Sequence, residues 1–196
     1  MKHGRLPWLK PEALSPKQRE LYDRILGGPR GQGAPAFALT DAEGRLNGPF
    51  NALLTSPEVG TAVQDLGVAI RYRSGLPERA REIAILELAR ARHCAFEWYA
   101  HERVGRAVGL TDDEIAALRA GAACATFDAR EVLVRRVVRA LLAERDLEDA
   151  LFNEAERSLG DALLTDLVAL VGYYDLLALL LRVWRTPLPD GAEAPF

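Results

Sequence analysis

Cysteine is scarce in this chain: 196 residues hold two, Cys94 and Cys124. They form no CxxC pair and no zinc-ligand spacing. That argues against a disulfide scaffold and suits a reducing compartment, the cytoplasm. Net charge is nearly absent too, since 25 Lys and Arg against 28 Asp and Glu leave −3. A surface so balanced gives no electrostatic attraction for nucleic acid or an anionic membrane. No apolar run follows Met1-Lys2-His3-Gly4-Arg5-Leu6-Pro7-Trp8, so no secretory leader is expected. Strand-like alternation of period two persists nowhere, and no hairpin dipeptide separates alternating runs. Long charge-free apolar runs are missing as well. The richest stretch, Leu163 to Trp184, carries Asp166, Asp175 and Arg182, and reads as a helix buried in protein rather than a membrane span.

What is present is an ordinary globular balance, 49% apolar and 27% charged residues, enough for one domain with a substantial core. The start signals are helical. Ser15-Pro16-Lys17-Gln18 orders a cap, an N1 proline and a capping-box glutamine, and Thr111-Asp112-Asp113-Glu114 repeats the box. The first helix runs to Gly27-Gly28, and a loop rich in Gly, Pro and Ala follows over 29–48. Ser56-Pro57 opens a second helix with an apolar stripe of Val59, Val63, Leu66 and Ile70. A third runs from about Pro77 to Arg92, and an apolar-aromatic one from His93 to Val108, stopped by Gly109. After the short helix that ends at Gly121, Asp128 to Glu144 is helical through Val132, Val134, Val137, Val138 and Leu141. Further stretches cover about Glu148 to Leu159 and Asp161 to Thr186, with Pro187 and Pro189 closing the last. The expectation is an all-α, compact bundle of about seven or eight helices. It divides into an N-terminal helix, arm and loop (1–48), a helical body (49–186) and a tail (187–196), a single domain overall.

The chemistry concentrates in His93-Cys94-Ala95-Phe96-Glu97-Trp98-Tyr99-Ala100-His101-Glu102. At about 100° per residue, Cys94, Glu97 and His101 fall within roughly 60° of one helix face. Phe96, Trp98 and Tyr99 flank them and can exclude water. A cysteine in the first helical turn feels the positive end of the dipole, which favours thiolate; an ionised Glu97 works against that. His101 titrates near neutrality and can act as general acid or base, oriented by Glu97 one turn before it. Each residue also has a plain structural reading. Cys94 can be core, Glu97-His101 a surface pair, and Glu82 an acid near a helix start where the dipole favours it. His93 reads as a chain-turn residue, His3 as solvent-exposed, and Cys124 as a small apolar filler. Cys94, Glu97, His101 and His93 match no established metal-ligand spacing.

The run Arg81-Glu82-Ile83-Ala84-Ile85-Leu86-Glu87-Leu88-Ala89-Arg90, followed by Cys94 to Glu102, resembles the carboxymuconolactone decarboxylase and alkylhydroperoxidase D-like family. Val104, Ala107, Gly109-Leu110-Thr111, Glu114-Ile115 and the later Gly172-Tyr173-Tyr174 fit as well, over roughly residues 45–185. The resemblance implies an alkylhydroperoxidase D-like helical fold, usually oligomeric, working without a cofactor on a small molecule. In the peroxidase branch the motif is Glu, CxxC, then His. Glu82, Cys94 and His101 occupy three of these positions, while Glu97 stands where the second cysteine belongs. The dithiol mechanism needs that cysteine. The decarboxylase branch does not, and it implies loss of carbon dioxide from a small lactone acid with His101 as general acid, Glu97 orienting it and Glu82 in a relay. A one-cysteine peroxidase on Cys94 and a non-catalytic oligomeric binding protein are the alternatives.

Overall fold

The structure is a computed structural model that describes residues 1–32, 37–189 and 192–196. Among these the regular elements are nine α-helices, one turn of 3-10 helix (Pro11–Ala13) and one small hairpin, so the fold is all-α. The chain divides into two compact units, Met1–Arg73 with Leu176–Ala194, and Ser74–Asp175 with Pro195–Phe196.

The first unit opens with strands β1 (Lys2–His3) and β2 (Leu6–Pro7), paired antiparallel. Two residues each are too few to leave an alternation pattern, which is why the sequence shows no strand. His3, expected in solvent, is buried, with its ring 4.6 Å from that of Trp8. Burial lowers its pKa. The Trp8 indole N–H donates to the Leu46 carbonyl at 2.8 Å, and Arg45 lies over the ring. The N-terminal arm is thus fastened to its own chain. Helix α1 (Pro16–Gly27) begins with the expected capping box between Ser15 and Gln18. The expected loop contains a short helix, α2 (Pro29–Gln32), and a bridge between Thr40 and Leu46; its residues 33–36 lie outside the described ones.

Helices α3 (Pro49–Leu53) and α4 (Pro57–Tyr72) follow. The start of α4 is where Ser56-Pro57 places it, but its buried face coincides only in part with the apolar stripe: Ile70 is buried and Val63 packs on the core, as expected. Gly60, Gln64, Gly67 and Ile70 are buried, whereas Val59 is 61% and Leu66 46% exposed. Close approach explains the difference. A Cβ at Gly60 would stand 2.4 Å from the Leu53 carbonyl and 2.7 Å from Leu21. The helix makes its closest approach through Gly60 and turns Val59 and Leu66 outward. The core beneath it gathers Leu21, Ile25, Leu46, Phe50, Leu53 and Leu54.

The second unit is organised by α5 (Glu78–Ala91), in which every residue from Ala80 to Ala89 is buried. It packs on α6 (Ala95–Ala107), α7 (Asp112–Ala120) and α8 (Ala129–Glu144). Thr111 and Glu114 form the expected capping box, and Asp128 with Glu131 forms another at the start of α8. Ile83, Leu86, Ala89, Trp98, Leu110, Ile115, Leu118 and Phe127 make the core, with half-buried Cys124 against it. The last helix, α9 (Asp149–Val183), is two helical stretches meeting at Gly160, whose backbone (φ 74°, ψ 165°) is non-helical. That is the break read from the sequence. By length and composition α9 could cross a bilayer. Its mid-segment Asp175 is instead held by Arg92 at 2.6 Å.

Candidate functional site

Two successive helices build the site. His93 takes a left-handed conformation (φ 50°) after α5 and turns the chain into α6, the turning role expected of it. Cys94 is the N-cap of α6, with its N–H donating to the Ala89 carbonyl at 2.9 Å. From there Glu97 and His101 lie one turn apart and face Glu82 of α5.

The imidazole of His101 sits between two carboxylates. Its Nδ1 is 2.6 Å from Glu82 Oε2, and its Nε2 is 3.5 Å from Glu97 Oε2. Glu82, Glu97 and His101 are 0%, 3% and 4% exposed, and Cys94 is buried beside them in sequence at the helix start. The structure therefore brings together Glu82, Glu97 and His101, and it makes Glu82 the shorter of the two contacts. Sequence spacing favoured Glu97 as the orienting partner, because i, i+4 neighbours are visible in one helix. A partner on another helix, 19 residues earlier, is not. The dipole reading of Glu82 does not describe it either, since its carboxylate is spent on His101 and on Arg81 Nε at 3.3 Å.

Buried carboxylates this close to an imidazole have a chemical consequence. A carboxylate on Nδ1 holds that nitrogen as the donor and leaves Nε2 as the working atom. A second carboxylate beyond Nε2 lets one proton pass between them. Tyr174 of α9 closes the other side, its ring edge-on to His101 at 5.1 Å between centroids and nearly perpendicular. The pair Tyr173-Tyr174 belonged to the matching motif, but nothing in its spacing tied either ring to His101. Trp98 is fixed on another face of α6, donating to Glu102 Oε2 at 2.6 Å, and Phe196 packs edge-on against it at 5.4 Å. The tail's last residue is thereby engaged within its own unit.

Two further ionic clusters surround the site without joining it. Glu87, fully buried on α5, accepts from Arg90 (2.6 Å), Arg139 (2.9 Å) and Arg135 (3.0 Å). Burial pushes its pKa up, but the hydrogen bonds from Arg139 and Arg90 and the charge of Arg135 outweigh this and hold it below the usual range. Arg79 bridges Glu114 (2.8 Å) and Glu131 (2.6 Å). The Arg79 hydrogen bond draws the Glu114 pKa down to about 2, against burial and with help from the Thr111 N–H and the Thr126 hydroxyl. Apart from the i, i+3 pair of Glu87 with Arg90, neither cluster has a local sequence signal, because the other partners come from different helices. Cys124 Sγ lies 3.2 Å from the Thr126 hydroxyl. Among the described residues no group of three or more His, Cys, Asp and Glu is arranged to hold a metal ion.

Residues 57–140 match the carboxymuconolactone decarboxylase family. No curated protein matches the chain in sequence. Solved structures share its fold. A peroxidase-related protein from Ralstonia eutropha with an alkylhydroperoxidase AhpD core aligns with TM-score 0.74 at 18% identity, over 97% of this chain and 94% of that one. A peroxidase-related protein from Silicibacter aligns with TM-score 0.72 at 15% identity, again over 97% and 94%. A protein of unknown function from Agrobacterium tumefaciens, linked by its description to the antioxidant defence protein AhpD, aligns with TM-score 0.65 at 20% identity over 71% and 96%.

Proposed function

For a chain whose segment 57–140 matches the carboxymuconolactone decarboxylase family, we propose a cofactor-free acid–base enzyme acting on a small carboxylate or lactone acid. The observation that carries this reading is the imidazole of His101 held between Glu82 and Glu97 in a buried site. In the proposed step the bond from the substrate carbon to its carboxylate breaks and carbon dioxide leaves. The electron pair enters the dienolate. The Nε2 proton of the His101 imidazolium is then delivered to carbon, and neutral His101 is recharged from water. Glu82 fixes the ring and stabilises its charged form, while Glu97 guides the proton at Nε2. Exclusion of water by Tyr174 would strengthen each of these interactions.

The test is turnover of carboxymuconolactone and a panel of small lactone and keto acids, followed by carbon dioxide release. Activity that collapses in His101→Gln and persists in Cys94→Ser supports the reading. Activity that persists in His101→Gln removes it.

A second reading is a one-cysteine peroxide reductase. It is supported by Cys94 at the N-cap of α6, where backbone N–H groups and the helix dipole favour a thiolate. Glu97 stands at the position of a second cysteine, so an external thiol would have to resolve the oxidised Cys94. Rapid Cys94-dependent consumption of hydrogen peroxide by the reduced protein would favour it. We place the protein in the cytoplasm and expect a homo-oligomer; the exposed Val59 and Leu66 on α4 suit an interface between copies.

A further inference from the structure

We propose that Arg81 is a positioning residue of this site: by holding one oxygen of Glu82 it presents the other to His101 in a fixed direction. The inference rests on the acid–base reading above and adds a residue to it. Arg81 is only 7% exposed, with its Nε 3.3 Å from Glu82 Oε1, while Glu82 Oε2 is the atom 2.6 Å from His101 Nδ1. The two oxygens of one buried carboxylate are thus divided between a permanent cation and the imidazole.

Helix geometry does not produce this pairing. Neighbours at i, i+1 diverge by about 100° and do not face each other. The Arg81 guanidinium reaches Glu82 nonetheless, and it is buried there. Glu78 also lies 3.7 Å from Arg81 Nη2, on a side chain 72% exposed. An exposed contact at that distance repays little of the cost of burying a guanidinium. The contact to Glu82, by contrast, is with a fully buried carboxylate. Its consequence is directional. With Oε1 engaged, the carboxylate cannot rotate freely or offer both oxygens to His101, so the imidazole has one orientation and Nε2 always points toward Glu97.

Charge follows geometry. Among the groups facing His101 are Glu82 with Arg81 behind it on α5, Glu97 on its own helix and Tyr174 on α9, with Cys94 at the start of α6. Replacing Arg81 by a neutral residue leaves the Glu82–His101 pair one charge more negative. The pair then binds its proton more tightly, and the midpoint of the coupled titration rises by about one pH unit.

The experiment is a titration of the three histidines by nitrogen-15 NMR, with His101→Gln used to assign the His101 resonances. Arg81→Gln and the apolar Arg81→Met are the neutral variants; Arg81→Lys keeps a positive charge. The expected result is a midpoint about one unit higher in the neutral variants, returning most of the way in Arg81→Lys. A merely structural role would lower the melting temperature and leave the midpoint where it is. An unmoved midpoint in a folded neutral variant overturns the proposal, and so does an Arg81→Lys midpoint displaced as far as that of Arg81→Gln. The readout needs no substrate. If no lactone acid is turned over but the midpoint moves, the acid–base enzyme reading fails and the positioning role stands. If turnover is found and the midpoint is fixed, the positioning role alone fails.

Discussion

Protonation of Glu114 gives a stability change that can be worked through from the structure. Its carboxylate, nearly buried on α7, is bound by Arg79, the Thr111 N–H and the Thr126 hydroxyl, and its pKa falls from 4.5 to about 2. A depressed pKa means that the unfolded chain binds more protons than the folded one between those values. The stabilisation is therefore complete above about pH 4.5 and lost as pH falls toward 2. At 1.36 kcal/mol per unit the full effect is about 3 kcal/mol, of which about 2 kcal/mol disappears between pH 4.5 and 3. Glu114→Gln keeps an oxygen for the Thr111 N–H and removes the charge. Urea unfolding of the protein and of this variant, followed by far-ultraviolet circular dichroism at pH 7, 5, 4 and 3, measures the difference. It should stay level from pH 7 to 5 and then shrink by about 2 kcal/mol by pH 3. A difference that is the same at pH 7 and pH 3 would refute the argument, because the stabilisation would then not come from the ionised carboxylate.

The remaining expectations are simpler. His101→Gln should lower turnover of a lactone acid by 10²–10⁴-fold, the usual worth of a general acid, whereas Cys94→Ser should change it less than about tenfold in the same assay. Glu87→Gln should destabilise the fold by about 3–5 kcal/mol in urea titrations, because buried Arg135 loses its charged partner. Gly121→Ala should cost about 1 kcal/mol or more in the same measurement, since Gly121 ends α7 with φ 67° and a Cβ there would meet the Arg90 guanidinium at 3.1 Å. Leu66→Glu, placing a charge on the exposed face of α4, should reduce the assembly size seen by light scattering while leaving the circular dichroism spectrum unchanged.

Local signals carried most of what the sequence revealed. The caps at Ser15 and Thr111, the start of α4 at Ser56-Pro57 and the break at Gly160 are each set by backbone chemistry within four residues, and all are found where the residues place them. The pairing of Glu97 with His101 was legible for the same reason. Long-range relations were not. Hydrophobic periodicity placed the buried face of α4 only in part, with Ile70 and Val63 inside but Val59 and Leu66 outside, because the closest packing is set by how Leu53 and Leu21 approach Gly60. The short contact from Glu82 to His101, the ring of Tyr174 and the engagement of Glu87 by Arg135 and Arg139 join residues far apart in sequence. Glu87 was visible only as part of a motif, and a charged residue within a helical run is ordinarily a solvated one. His3 failed similarly, because its burial depends on Trp8 folding back over it.

Helix α5 carries two buried carboxylates five residues apart, Glu82 turned to His101 and Glu87 to the arginines. Five residues are about 500° of rotation, so the two acids project about 140° apart. One added or deleted residue between them would swing one acid through about 100° relative to the other and shift it by about 1.5 Å. No single sliding or twisting of the rod could then restore both engagements. The length of this short span is thereby frozen, whatever drift in side-chain identity its apolar positions accept. Loops elsewhere in the chain can lengthen or shorten in descendants of this sequence, while the interval from Glu82 to Glu87 has to be inherited residue for residue.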